Sequence, residues 1–119
     1  AREYAHLLAQ IASGNFISPA VSARIQQKLE TSPADDPMRF LFHRRYGAKD
    51  GVTAGVLTLV SYATPKHGTW AGETRVVVIL TNGLSYKAWA NLYQFQSIYL
   101  LQADLAKGTD IFKGELAQK

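Results

Sequence analysis

The chain has no cysteine. That excludes disulfides and thiolate metal sites, but it leaves the redox compartment open, because exported proteins also do without cysteine. Its three histidines, His6, His43 and His67, lie far apart and lack the i,i+4 spacing of a helical metal site. No metal and no cofactor is therefore expected. Long apolar runs are missing too: the longest, VVVIL and GVLTLV, have strand length, so no membrane span is expected. There is no low-complexity segment and no block of like charge. The net charge is +4, yet the Lys and Arg residues are scattered, and Arg44-Arg45 with His43 and Tyr46 is the one basic-aromatic cluster. A mildly basic solvated surface accounts for this, and no nucleic-acid partner is expected. An initiator Met and a signal-peptide pattern are also lacking. Ala1-Arg2-Glu3-Tyr4 already stands inside a helical pattern, so the expectation is a piece of a longer protein.

The 119 residues suffice for one domain with a real core, and 47% hydrophobic with 18% charged residues is ordinary globular composition. Tyr4, Leu7, Leu8 and Ile11 follow helical spacing, and Gly14 supplies a stop, which predicts a helix over residues 2–13. Ser18 as N-cap and Pro19 as first helical residue open a second helix to about Glu30, with Val21, Ile25 and Leu29 as its stripe. Thr31 to Pro37 is a turn-rich acidic linker. Met38, Phe40 and Phe42 alternate, which suggests a brief turn giving way to a strand that ends near Lys49. After a turn at Gly51, strands are expected over about Gly55–Ala63 and Thr74–Thr81, joined by the ten-residue TPKHGTWAGE connection of an antiparallel hairpin. Both strands are apolar on both faces, so something must cover each face. Ser85 then caps one long helix to about Ala106, closed by Gly108, and residues 109–119 form a weakly ordered tail. The fold class is α+β: an antiparallel sheet flanked by helices.

AREYAHLLAQIASGNFISPAVSARIQQKL, then AKDGVTAGVLTLVSYA, then TRVVVILTNG and a terminal helix, stand in an order that resembles the C-terminal part of the serine β-lactamase and penicillin-binding-protein superfamily, over residues 1–108. In that family a Lys-Thr/Ser-Gly box on an edge strand lines the active-site cleft. The resemblance implies that Lys49 is the catalytic electrostatic residue and that Lys49, Asp50 and Gly51 form a substrate-binding wall, with Gly51 permitting close approach. It also implies a periplasmic or extracellular location and a small-molecule or peptidoglycan-like substrate. Asp50 departs from the pattern. An acceptor-only anion replaces a hydroxyl donor, so a substrate carboxylate is repelled unless Lys49 neutralises Asp50.

The nucleophile is missing. No Ser is followed three residues later by Lys, and no Ser-x-Asn occurs; Ser85-Tyr86-Lys87 is the nearest look-alike. The chain alone is thus expected to be inactive, a C-terminal portion of a β-lactamase-like serine hydrolase whose N-terminal half carries the nucleophile. Without strands from that half, the Thr74–Thr81 strand becomes an apolar edge that pairs with the missing half or with a second copy. Two other readings stand at this point: a non-catalytic binding or structural module that keeps the fold, and a plain solvated turn at Lys49-Asp50-Gly51, since Asp-Gly is a common turn pair.

Overall fold

The computed structural model describes residues 1–31, 41–94 and 97–108. In chain order these form α1 (Arg2–Ala12), α2 (Pro19–Thr31), β1 (His43–Thr53), β2 (Val56–Pro65), β3 (Arg75–Leu80), α3 (Tyr86–Gln94) and α4 (Ser97–Lys107). The strands make an antiparallel sheet in the order β1-β2-β3. Four helices and one such sheet among the described residues give the α+β class expected. The linker after Thr31, the alternating residues 38 and 40 and the tail 109–119 lie outside the described residues.

Helix α1 ends where Gly14 takes φ +80, and the amides of Ser13 and Asn15 donate to the carbonyls of Ala9 and Gln10. The Ser18 hydroxyl accepts the amide of Val21 and starts α2 as an N-cap. Between the helices, fully buried Ser22 closes the loop: its hydroxyl accepts the Phe16 amide and donates to the Phe16 carbonyl. Leu8 and Ile11 are buried as expected, whereas Tyr4 and Leu7 are exposed. The α1 residues that reach the core, Leu8, Ile11 and Ala12, belong to its second half, so the apolar stripe does not extend to the first turn.

Both sheet faces are covered, as the two-sided apolar strands require. On one, Leu8, Ile11, Ile25 and Leu29 pack over Tyr62, Val60, Val76 and Val78. On the other, Ile98 and Ala106 of α4, with Trp89 and Leu92 of α3, cover Leu57, Leu59, Tyr46, Ala63 and Val77. The first face is pinned by a polar knot. One carboxylate oxygen of Glu30 accepts from Arg45 Nε at 2.6 Å and from the Tyr62 hydroxyl at 2.9 Å, while Arg45 Nη1 donates to the Ala12 carbonyl. Tyr62 is fully buried, and burial together with Glu30 pushes its phenol well above the ordinary tyrosine range.

Two expectations are corrected. β1 does not end near Lys49 and Gly51 is not a turn: β1 continues to Thr53, pairing Lys49 with Val60, Asp50 with Leu59 and Gly51 with Thr58. The hairpin turns instead at Ala54-Gly55, where Gly55 takes φ +75 and its carbonyl accepts the Leu84 amide. The positive φ falls on the second glycine, so the Asp-Gly pair is released into the ladder. Leu41 and Phe42 are helical rather than part of the strand, which begins at His43. The expected single helix from Ser85 is present as α3 and α4 on either side of residues 95 and 96, which are not described; Ser85 does cap it, accepting the Ala88 amide.

β3 is an outer strand, with no neighbour on its far side among the described residues. The Thr81 amide donates to the Leu57 carbonyl. By antiparallel alternation, Val77 and Ile79 also turn their main-chain groups to β2, and Val76, Val78 and Leu80 turn theirs outward.

Gly47 lies opposite Tyr62 in the ladder, and a Cβ there would meet the tyrosine ring at 2.3 Å. Gly47→Ala is therefore expected to cost about 1–3 kcal/mol through overpacking. In urea unfolding, Tyr62→Leu should cost less in the Gly47→Ala background than in the parent; strict additivity would contradict the close approach.

Candidate functional site

Side chains alternate across a strand. Gly47 and Tyr62 share the face of α1 and α2, so Lys49 and Gly51 lie on that face, while Ala48 and Asp50 lie on the face of α3 and α4. Lys49 and Gly51 sit beyond the part of their face that α1 and α2 cover: Lys49 retains 69% side-chain exposure, and Gly51 is exposed. A Cβ at Gly51 would stand 2.8 Å from Thr58 Oγ1, the end of a rotatable side chain, so the sheet itself makes only a mild demand for glycine there.

Asp50 is engaged on the opposite face. The Tyr99 hydroxyl of α4 donates to Asp50 Oδ2 at 3.0 Å. The Lys49 ammonium curls round the strand edge, donates to the Asp50 carbonyl oxygen and stands 3.6 Å from Oδ1. At these exposures the ion pair is worth little in stability, and what it does is fix charge. The box thus brings Lys49, Asp50 and Gly51 together on one outer strand, with the lysine's charge turned toward its neighbour's carboxylate. Tyr99 is the member that sequence reading missed: 49 positions separate it from Asp50, and its place in an apolar helical band gave no polar signal.

Most of the serines have structural roles. Ser13 donates to the Gln10 carbonyl, Ser18 and Ser85 cap helices, Ser22 closes the α1–α2 loop, and buried Ser61 donates to the Val77 carbonyl. Trp70, in the β2–β3 connection, is wedged: the Arg75 guanidinium lies 3.9 Å above its ring, and a Cβ at Gly108 would strike it. A cavity of about 520 Å³ opens beside α2, lined by Arg24, Ile25, Gln27, Lys28, Leu29 and Thr31, and shares no residue with the box. Among the described residues no three His, Asp or Glu side chains group as metal ligands, and no helix is long and apolar enough to cross a membrane.

No protein-family model, curated protein or solved structure matches the chain.

Because no serine is followed at the third position by lysine, purified residues 1–119 are expected to form no covalent adduct with a fluorescent penicillin or a fluorophosphonate. Intact-mass spectrometry reads this directly, and an adduct on any serine would overturn it.

Proposed function

We propose that this chain is the C-terminal portion of a β-lactamase-like serine hydrolase, working by acyl-enzyme hydrolysis or transfer on an amide, ester or lactam. The nucleophile comes from a segment outside these residues. The observation that carries this reading is the strand placement of the box: Lys49 and Gly51 share the exposed end of one face of an outer strand instead of forming a turn. In this reading Lys49 supplies positive charge beside the nucleophile and Gly51 lets the substrate's backbone come close. Asp50, held by Tyr99 and Lys49, offers no hydroxyl to a carboxylate, so carboxylate-bearing lactams are poor substrates. A periplasmic or extracellular location and a peptidoglycan-like substrate accompany the resemblance.

The outward main-chain groups of Val76, Val78 and Leu80 form an apolar edge with no lysine, proline or bulge to protect it. In the proposed whole enzyme this edge pairs with a strand of the missing half; for the isolated chain a second copy is the substitute. A second reading, a non-catalytic module that keeps the fold, draws its support from Asp50 at the middle of the box.

The coding sequence upstream of Ala1 separates the two, since a Ser-x-x-Lys at the start of a helix is required by the first and not by the second. If it is present, Lys49→Ala in the full-length protein is expected to lower kcat/KM for an activated ester by about 10²-fold or more, with Lys49→Arg retaining part. Unchanged kinetics in Lys49→Ala would remove the box from the mechanism. Hydrogen exchange on the isolated chain tests the edge. Protection of the Val76, Val78 and Leu80 amides that grows with protein concentration is expected, and concentration-independent fast exchange would count against pairing.

A further inference from the structure

The C-terminal end of α4 is clamped from two sides by contacts unrelated to the box. From the β2–β3 connection, the Thr69 hydroxyl donates to the Gly108 carbonyl, the Trp70 amide donates to the Lys107 carbonyl, and the Trp70 ring fills the space over Gly108. From the start of β1, His43 reaches α4: its Nε2 lies 3.3 Å from Oε1 of Gln102. Both partners are at least nine-tenths buried, at 4% and 1% exposure. The imidazole also stacks flat on Tyr46, at 5.1 Å between ring centroids.

This arrangement suits only a neutral imidazole. With Gln102 Oε1 accepting from Nε2–H, the other nitrogen, Nδ1, carries the lone pair and has no hydrogen-bond partner among the described residues; nor has Gln102 Nε2. A proton added at Nδ1 would be buried without an acceptor. The charged groups around it do not help. Lys66 at the end of β2 and Lys107 of α4 both oppose it, Lys107 lies over the Phe42 ring, and the Asp104 carboxylate is engaged with Lys107 at 3.2 Å. Within β1, Arg44 is exposed. Burial first, then the two lysines, hold the His43 imidazole below its ordinary value of 6.5, and the Gln102 bond offsets this in part.

We propose that His43 is an acid-sensitive latch: a proton on its buried, partnerless Nδ1 is accommodated only when the imidazole leaves its site, which releases the C-terminal half of α4 from the sheet and uncovers the apolar face of Tyr46, Ala63 and Val77. The sign follows from linkage. The folded pKa is lowered, so the open form binds more protons than the closed one below pH 6.5. The closed state is at full strength above 6.5 and weakens as the pH falls, by up to tenfold per pH unit, until the folded imidazole itself titrates. Tyr99 lies on the same helix, three residues before Gln102, so opening also loosens the hold on Asp50. The latch stands independently of what the box binds.

The test is native-state hydrogen exchange on the 119-residue chain with His6→Gln and His67→Gln, so that His43 is the one remaining histidine. The α4 amides from Gln102 to Gly108 are compared with those of α1 between pH 7.5 and 5.5, after correction for intrinsic exchange. Protection of α4 is expected to fall by between threefold and tenfold across this window while α1 changes less. His43→Phe should abolish the pH dependence. Gln102→Glu places a carboxylate against the imidazole and should reverse it, so that protection is held or rises as the pH falls. A pH-independent α4 in the parent, or an unchanged dependence in Gln102→Glu, overturns the latch. If His43→Phe does not fold, the Gln102→Glu comparison decides alone.

Discussion

A buried tyrosine hydroxyl must find an acceptor, and much of this fold follows from where Tyr62 finds one. Its ring is fully buried in the middle of β2, against Gly47 of the neighbouring strand, and its hydroxyl reaches the Glu30 carboxylate near the end of α2. A half-buried carboxylate is costly unless paired. Arg45 supplies the pair from β1, and its second nitrogen satisfies the carbonyl of Ala12, one of those left open at the end of α1. The side-chain amide of Gln26 donates to the adjacent carbonyl of Ile11, which also accepts the Gly14 amide. Two helices and two strands thus meet at one carboxylate oxygen and one tyrosine, and the apolar contacts of Leu8, Ile11, Ile25 and Leu29 are held in register around them.

The same strands serve the opposite face through the alternation of their side chains. Tyr46 and Ala48 lie between Arg45, Gly47 and Lys49 in sequence and pack beneath α4. Changing the β1 register by one residue would move Arg45 away from Glu30 and Tyr46 out of the α4 face together. The register is fixed from both sides at once. That is why the Lys49-Asp50-Gly51 triplet occupies definite faces even though its own side chains are exposed and contribute little to stability.

The fold class, the first two helices, the two apolar strands and the helix capped by Ser85 were legible in the sequence, because each rests on local signals: Gly14, Ser18-Pro19, alternating β-branched residues and Ser85. The end of β1 was not. Asp50-Gly51 and Ala54-Gly55 are both acceptable turn sites, and the choice is made by pairing with Val56–Thr58, a cross-strand fact that neither dipeptide encodes. The polar contacts were invisible for a related reason. Arg45 with Glu30, His43 with Gln102 and Asp50 with Tyr99 join positions 15, 59 and 49 apart. One of them did leave a trace: Gln102 is a polar residue four positions after Ile98 in an otherwise apolar helical stripe, where burial demands a partner.

Asp50 is the residue at which the proposed serine-hydrolase resemblance breaks down, and its neighbours give that difference physical content. A hydroxyl side chain at this position would be short and neutral; it could neither hold the Lys49 ammonium by charge nor offer Tyr99 an ionised acceptor. The carboxylate does both, across the edge of the strand and onto α4. The substitution therefore has consequences beyond the box itself. It pairs the Lys49 charge within the strand itself, and it ties the outer strand to the helix that His43 meets through Gln102. Under the proposed reading, an anion that approaches the triplet must compete with Asp50 for Lys49. The strength of that competition depends on how firmly α4 is seated, because Tyr99 keeps the carboxylate in place only while its helix lies on the sheet.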